Sequence, residues 1–189
     1  MTLDDSIIEK TSNKEAFVKI ASKIIIKKAN ESIEERGAFS FVLSGGSTPK
    51  DIFINLAENY NQSVDWSKVH FFWLDERCVD FTDKESNYKL AYDNLISKLD
   101  CVGSINRMKG EVDPNQSAEE YEKVLLDFFG KNKICFDFIL LGMGEDGHVA
   151  SLFPNTKELN EKNKIVLSTN EKHNGFYRIT LGSNTINNS

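Results

Sequence analysis

The sequence predicts an α/β fold, a Rossmann-like, mostly parallel sheet with helices on both faces, and three observations carry that expectation. Strand-like runs alternate with amphipathic helical stretches along the whole chain, the pattern of repeated βα units. The runs 39–43, 69–74 and 136–141 are short and apolar at nearly every position, as strands covered on both faces are. Each ends abruptly in a polar segment, and in an open parallel sheet such carboxyl ends share one side, where ligands bind.

In chain order, Ser12 and Glu15 form a capping-box pattern ahead of a helix with the apolar stripe Phe17, Ile20, Ala21, Ile24, Ile25 and Ala29, closing near Gly37. Strand 39–43 runs into Ser44, Gly45, Gly46, Ser47 and Thr48. Thr48 is the expected N-cap and Pro49 the first helical residue of a helix bearing Ile52, Phe53, Leu56, Ala57 and Tyr60. Strand 69–74 contains His70, read as a core histidine, and leads into Asp75, Glu76 and Arg77. Ser86 caps a helix with Tyr88, Ala91, Tyr92, Leu95 and Leu99. An extended stretch at 105–108 precedes a second capping box, Ser117 and Glu120, whose helix ends near Gly130. The run 136–141, interrupted by Asp137, is expected to be the central buried strand. It opens into the glycine loop 142–152, and two further strands follow at 164–168 and 177–181. Residues 183–187 look like a turn entering one more helix.

Composition excludes several classes. With 189 residues the chain is expected to be one domain, residues 1–189, with a real core. A formal charge of −6 argues against nucleic acid as a partner while leaving room for a local basic pocket. No apolar run approaches the ~18 residues of a membrane span, and no basic segment precedes an apolar one as in a signal peptide. Three scattered cysteines, Cys78, Cys101 and Cys135, read as reduced thiols of a cytoplasmic protein. A monomer or weak homodimer is expected.

Three loops then carry the chemistry. Between strand and helix, Gly45 and Gly46 let backbone N–H groups converge, and the helix N-terminus adds positive potential. The hydroxyls of Ser44, Ser47 and Thr48 supply further donors, so the 44–48 segment is a candidate phosphate cradle; a plain tight turn is the plainer alternative. Arg77, at the end of the second strand, has the planar fork that suits phosphate or carboxylate. His148, flanked by Asp146 among three glycines, lies where catalysis is expected. Gly142, Gly144 and Gly147 also spell a dinucleotide fingerprint, but Pro154 prevents the helix it requires and no carboxylate ends the following strand, so nicotinamide binding is rejected. Cys78 beside Arg77 is weighed as an activated thiol and set aside, because no histidine adjoins it in sequence. Asp146, His148 and Asp75 lack a recognised metal spacing, so neither metal nor cofactor is expected.

In order and spacing, SGGSTP (44–49), LDERCVDFTDKESN (74–87), GMGEDGHVASLFP (142–154) and RITL (178–181) resemble the glucosamine-6-phosphate isomerase/6-phosphogluconolactonase family, from about Ala16 onward. The resemblance is to its lactonase branch, and implies hydrolysis of 6-phospho-D-glucono-1,5-lactone to 6-phosphogluconate in the oxidative pentose phosphate pathway. It implies His148 as general base, Asp146 and Asp75 as residues shaping that site, and the 44–48 loop, Arg77, Lys172 and Arg178 as holders of the sugar phosphate. The deaminase branch carries a carboxylate shortly after the glycine loop, where this chain has Ser151, Leu152, Phe153 and Pro154. Family members have a proline pair before the last strand, where this chain reads Lys172 to Tyr177. They also continue further, so the chain resembles a member cut short at its C-terminus. That sets a third expectation beside the lactonase and the deaminase-like isomerase: a sugar-phosphate-binding protein without turnover.

Overall fold

The structure is a computed structural model and describes residues 7–130 and 134–189. In chain order, α1 (Lys14–Arg36), β1 (Phe39–Leu43), α2 (Ser47–Asn59), β2 (Val69–Trp73), β3 (Asp75–Arg77) and α3 (Asn87–Asn94) form the first half. Then come β4 (Ser104–Asn106), α4 (Pro114–Phe129), β5 (Phe138–Ile139), α5 (Lys157–Asn160), β6 (Val166–Ser168), β7 (Arg178–Leu181) and α6 (Ser183–Asn187). A parallel sheet has the order β4-β2-β1-β5, and helices flank it.

The sheet core is aromatic. Side chains of a strand alternate between faces, so Phe41 and Phe71, in register across β1 and β2, share one face with Trp66 and Phe138. His70 and Phe72 turn to the other and meet Phe128 of α4. Tyr121 of α4 is buried and ties that helix to β2, its hydroxyl accepting from the Trp73 N–H at 2.9 Å. His70, read as a core histidine, is half-buried, its Nδ1 at 2.9 Å from Ser104 Oγ and partial burial lowering its pKa.

Several expectations need correction. The last two strands do not extend the parallel sheet: β6 and β7 join β3 in a separate antiparallel sheet of order β3-β7-β6. Apolar runs do not record strand direction, and Asp75–Arg77, read as a loop, is one of its strands. The run 136–141 is not central: β5 spans two residues at the sheet edge, half-buried, while β1 and β2 are the inner strands. Asp137 shortens it, because its carboxylate accepts from Ser40 N and Ser40 Oγ at 2.7 Å each and pairs with Arg36, replacing ladder pairing at that point. The buried face of α1 is Val18, Ser22, Ile25, Ile26, Ala29 and Ser32, which leaves Phe17 and Ile24 exposed.

The caps shift too. Asn13, not Ser12, caps α1, its Oδ1 accepting from Ala16 N at 2.9 Å. Asp113 caps α4 with Pro114 in the first turn, one turn ahead of the expected Ser117 box. Gly46, at φ 108°, precedes α2 in place of Thr48, so Pro49 is its third residue. Ser86 caps α3 and Gly37 closes α1 as expected.

Candidate active site

The glycine loop after β5 forms no helix; it folds on itself through bridges of Met143 and Leu152 with Val149. Gly144 N–H donates to His148 O at 2.8 Å, which tucks the imidazole over the loop. A Cβ at Gly144 would overlap the His148 ring, so only glycine allows this approach. Phe153 lies against the ring with centroids 4.6 Å apart, and His173 stacks on Phe153 in turn.

His148 is thereby held in one orientation. Its Nδ1 is 2.5 Å from Asp146 Oδ1, and the same oxygen accepts from the His148 N–H at 3.2 Å. The hydrogen bond from the ring holds the Asp146 carboxyl below its ordinary pKa. A carboxylate at Nδ1 selects the tautomer with the proton there, leaving Nε2 as an acceptor with no protein partner among the described residues. Asp146, and not Asp75, orients His148.

Asp75 stands on the pocket wall in a different setting. It is buried, its Oδ2 accepts from Ser151 Oγ at 2.7 Å, and its Oδ1 accepts from Asn87 Nδ2 at 3.2 Å. A carboxylate with two such donors keeps its place without touching the histidine. Arg77, one β3 residue on the same side, donates from Nη1 to Glu85 O at 2.6 Å.

His148, Asp75, Arg77, Ser44, Gly45 and Gly46 line one cavity of about 240 Å³ together with Gly144 and Asn87. That volume is below the roughly 300–1,000 Å³ of sites for drug-sized ligands, so it suits a small metabolite. Two buried donors in it, Ser44 Oγ and Arg77 Nε, have no protein partner among the described residues. Buried donors ordinarily are satisfied, so these two are exceptions on residues of the cavity wall. Behind Gly46, the N–H groups of Ser47 and Thr48 begin α2, where helical geometry provides no acceptor and no side chain caps them.

Other expected residues stand apart. Ser47 and Thr48 are exposed in the first turn of α2, off the cavity wall. Lys172 is exposed on the β6–β7 hairpin with its ammonium over the Tyr177 ring, and does not line the cavity. Arg178 is buried opposite Arg77 in the β3–β7 pairing and donates to His173 O at 3.0 Å. Burial, reinforced by Arg77, lowers its pKa. Burial also pushes the Cys78 thiol up to about 11, which removes it as a nucleophile. No group of three or more His, Cys, Asp or Glu that could chelate a metal occurs among the described residues. Sequence reading missed Asn87 on the cavity wall, and Ser151 and Glu76 as the residues that bond to Asp75 and Asn87 behind it; only their place in or near the DER and GEDGH segments marked them.

A parallel α/β sheet with a histidine–carboxylate pair and a glycine turn at its carboxyl ends defines a small-molecule site of the open-sheet class. The chain belongs to the family described as glucosamine-6-phosphate isomerases/6-phosphogluconolactonase, whose profile matches residues 12–189. It is 39% identical over 174 residues to a 6-phosphogluconolactonase of Chlamydia pneumoniae, covering 90% of this chain and 65% of the relative. With the chloroplastic 6-phosphogluconolactonase 3 of Arabidopsis thaliana it shares 38% identity over 160 residues, 79% of this chain and 49% of that protein. The crystal structure of a 6-phosphogluconolactonase from Shewanella baltica superposes with a TM-score of 0.84 at 28% identity, over 99% of this chain and 79% of that one. The chain thus spans less than two thirds of the length of each of these two curated relatives, 65% and 49%.

Proposed function

We propose that this protein hydrolyses 6-phospho-D-glucono-1,5-lactone to 6-phosphogluconate in the oxidative pentose phosphate pathway, as a cytoplasmic enzyme that carries the site on this α/β domain and uses no metal or cofactor. The observation that carries the reading is the His148–Asp146 pair, with Nδ1 committed and Nε2 left for the cavity, facing a glycine-rich cradle. Its family membership and the names of the relatives support it. Free cysteines suit a reducing compartment, and no described helix is long and apolar enough to cross a membrane.

In this reading the phosphate sits against Ser44, Gly45 and Gly46, on the cavity side of the turn that leads into the α2 N-terminus. Arg77, on the same cavity wall, offers its guanidinium to an anionic oxygen of the substrate. A water between His148 Nε2 and the lactone carbonyl gives its proton to Nε2 as its oxygen bonds to the carbonyl carbon. The tetrahedral oxyanion then collapses, the bond to the ring oxygen breaks, and the ring oxygen takes a proton from the imidazolium. The products are a hydroxyl and a carboxylic acid, which ionises. Asp146 stabilises the imidazolium while it exists, and Asp75 walls the reacting carbon. A lactone is an activated ester, so a positioned general base suffices, supplying about 10²–10⁴-fold. Lys172 and Arg178, off the cavity wall, are not assigned direct contacts.

The deaminase alternative is disfavoured because residues 149–154 contain no acid, and the Ser151 hydroxyl is committed to Asp75. The test is turnover of freshly generated 6-phosphogluconolactone beside glucosamine 6-phosphate under the same conditions. Lactone hydrolysis above the spontaneous rate, with no ammonia from the amino sugar, is expected. Ammonia release, or binding of 6-phosphogluconate without any lactone turnover, would overturn it.

A further inference from the structure

Glu76 is the one residue of β3 to which the mechanism gives no task, and it is 2% exposed. Its carboxylate accepts four hydrogen bonds. Arg77 N–H and Asn87 N–H reach one oxygen at 2.7 Å each, and the other takes Tyr88 N–H at 2.8 Å and Ser86 O–H at 3.0 Å. The Asn87 and Tyr88 donors belong to the first turn of α3, whose N–H groups helical geometry leaves without acceptors. Glu76 therefore anchors the start of that helix from outside it.

The anchored residue is a structural part of the cavity. Asn87 donates from Nδ2 to Asp75 O at 2.9 Å and to Asp75 Oδ1. Its amide lies so close to Gly45 that a Cβ there would overlap it. Asn87 thus acts as a spacer between two walls, the glycine turn after β1 and Asp75 of β3.

We propose that Glu76 is a positioning residue that, by holding the first turn of α3, fixes Asn87 between Gly45 and Asp75 and so sets how tightly the cavity grips a phosphorylated sugar. This rests on the sugar-phosphate reading of the cavity. Glu76→Gln tests it, because both carboxylate oxygens accept from backbone N–H groups. Whichever way the amide turns, its NH₂ meets a donor. The expected result is a rise of about tenfold in both the KM for the phospholactone and the Kd for 6-phosphogluconate, exceeding any loss in kcat. Val18→Ala, a core change on α1 away from the cavity, serves as the stability control and should lower the melting temperature with KM unchanged. Ser86→Ala removes one donor from a residue off the cavity wall and should raise KM about threefold, a readout that stands if Glu76→Gln does not fold. KM and Kd within twofold of the parent in Glu76→Gln, an unchanged KM in Ser86→Ala where Glu76→Gln does not fold, or an equal rise in Val18→Ala, would overturn the inference. A parent protein that neither binds 6-phosphogluconate nor hydrolyses the lactone removes the sugar-phosphate reading itself, and this inference with it.

Discussion

His148 has one ring nitrogen occupied and one available, and that asymmetry is produced by three neighbours. Asp146 fixes the tautomer, Gly144 admits the ring, and Phe153 backs it. Replacing Asp146 by Asn keeps the shape but turns a strong acceptor into a group that no longer stabilises imidazolium. The kcat is expected to fall about 10²–10⁴-fold with binding of 6-phosphogluconate kept; a kcat within threefold of the parent would show that the pair is not used. Gly144→Ala is the steric counterpart. Its methyl group displaces the imidazole, and a misplacement near 1 Å costs on the order of 10²-fold in turnover. Unimpaired hydrolysis by that variant would place the reacting group elsewhere. At this scale the sequence was informative about side chains that the cavity uses directly, since Asp146 and His148 adjoin glycines after a strand. It was silent about Asn87 and Glu76, whose roles come from hydrogen bonds to backbone groups that only the fold brings near.

At the scale of elements, the inner strands β1 and β2 were legible from apolar runs, because a strand covered on both faces keeps few polar positions, here Ser40 and His70. The third run misled. Asp137 interrupts it, and its carboxylate serves Ser40 and Arg36, so pairing narrows to Phe138 and Ile139 at an edge. Strand direction was not legible either, and the antiparallel β3-β7-β6 sheet that backs Asp75 and Arg77 escaped for that reason. Helix starts moved by up to a turn where two capping signals competed. In α4 the pair Asp113–Pro114 prevails over Ser117, since Asp113 Oδ1 accepts from both Asn115 N and Gln116 N. Asp113→Ala should therefore cost about 1 kcal/mol in urea unfolding. Ser117→Ala removes a buried hydroxyl with no partner among the described residues and should be near neutral or stabilising. The opposite ranking would put the start of α4 at Ser117.

For the whole molecule, the pH dependence of stability is the property most sensitive to Glu76. Burial, opposed by its hydrogen bonds, raises its pKa from the ordinary 4.5 to about 7. Asp75, Arg77, Cys78, Arg107 and Arg178 are the charged or titratable groups around it. A carboxyl raised in the folded state stabilises the fold below its unfolded pKa, and that contribution is lost as pH rises through the folded value. The rise corresponds to roughly 3 kcal/mol lost between about pH 4.5 and 7.5. Unfolding curves of the parent and Glu76→Gln should therefore diverge across that window, the parent falling more steeply. Parallel curves would place the Glu76 pKa in the ordinary range.

His148 is proposed to act as a general base upon a sugar phosphate held by the opposite wall of the cavity. The most direct measurement pairs turnover of 6-phosphogluconolactone with calorimetric binding of 6-phosphogluconate, for the parent and His148→Asn. A loss of about 10²–10⁴-fold in kcat/KM is expected for the variant, while the Kd for 6-phosphogluconate stays within threefold. Equal turnover by the two proteins would contradict it.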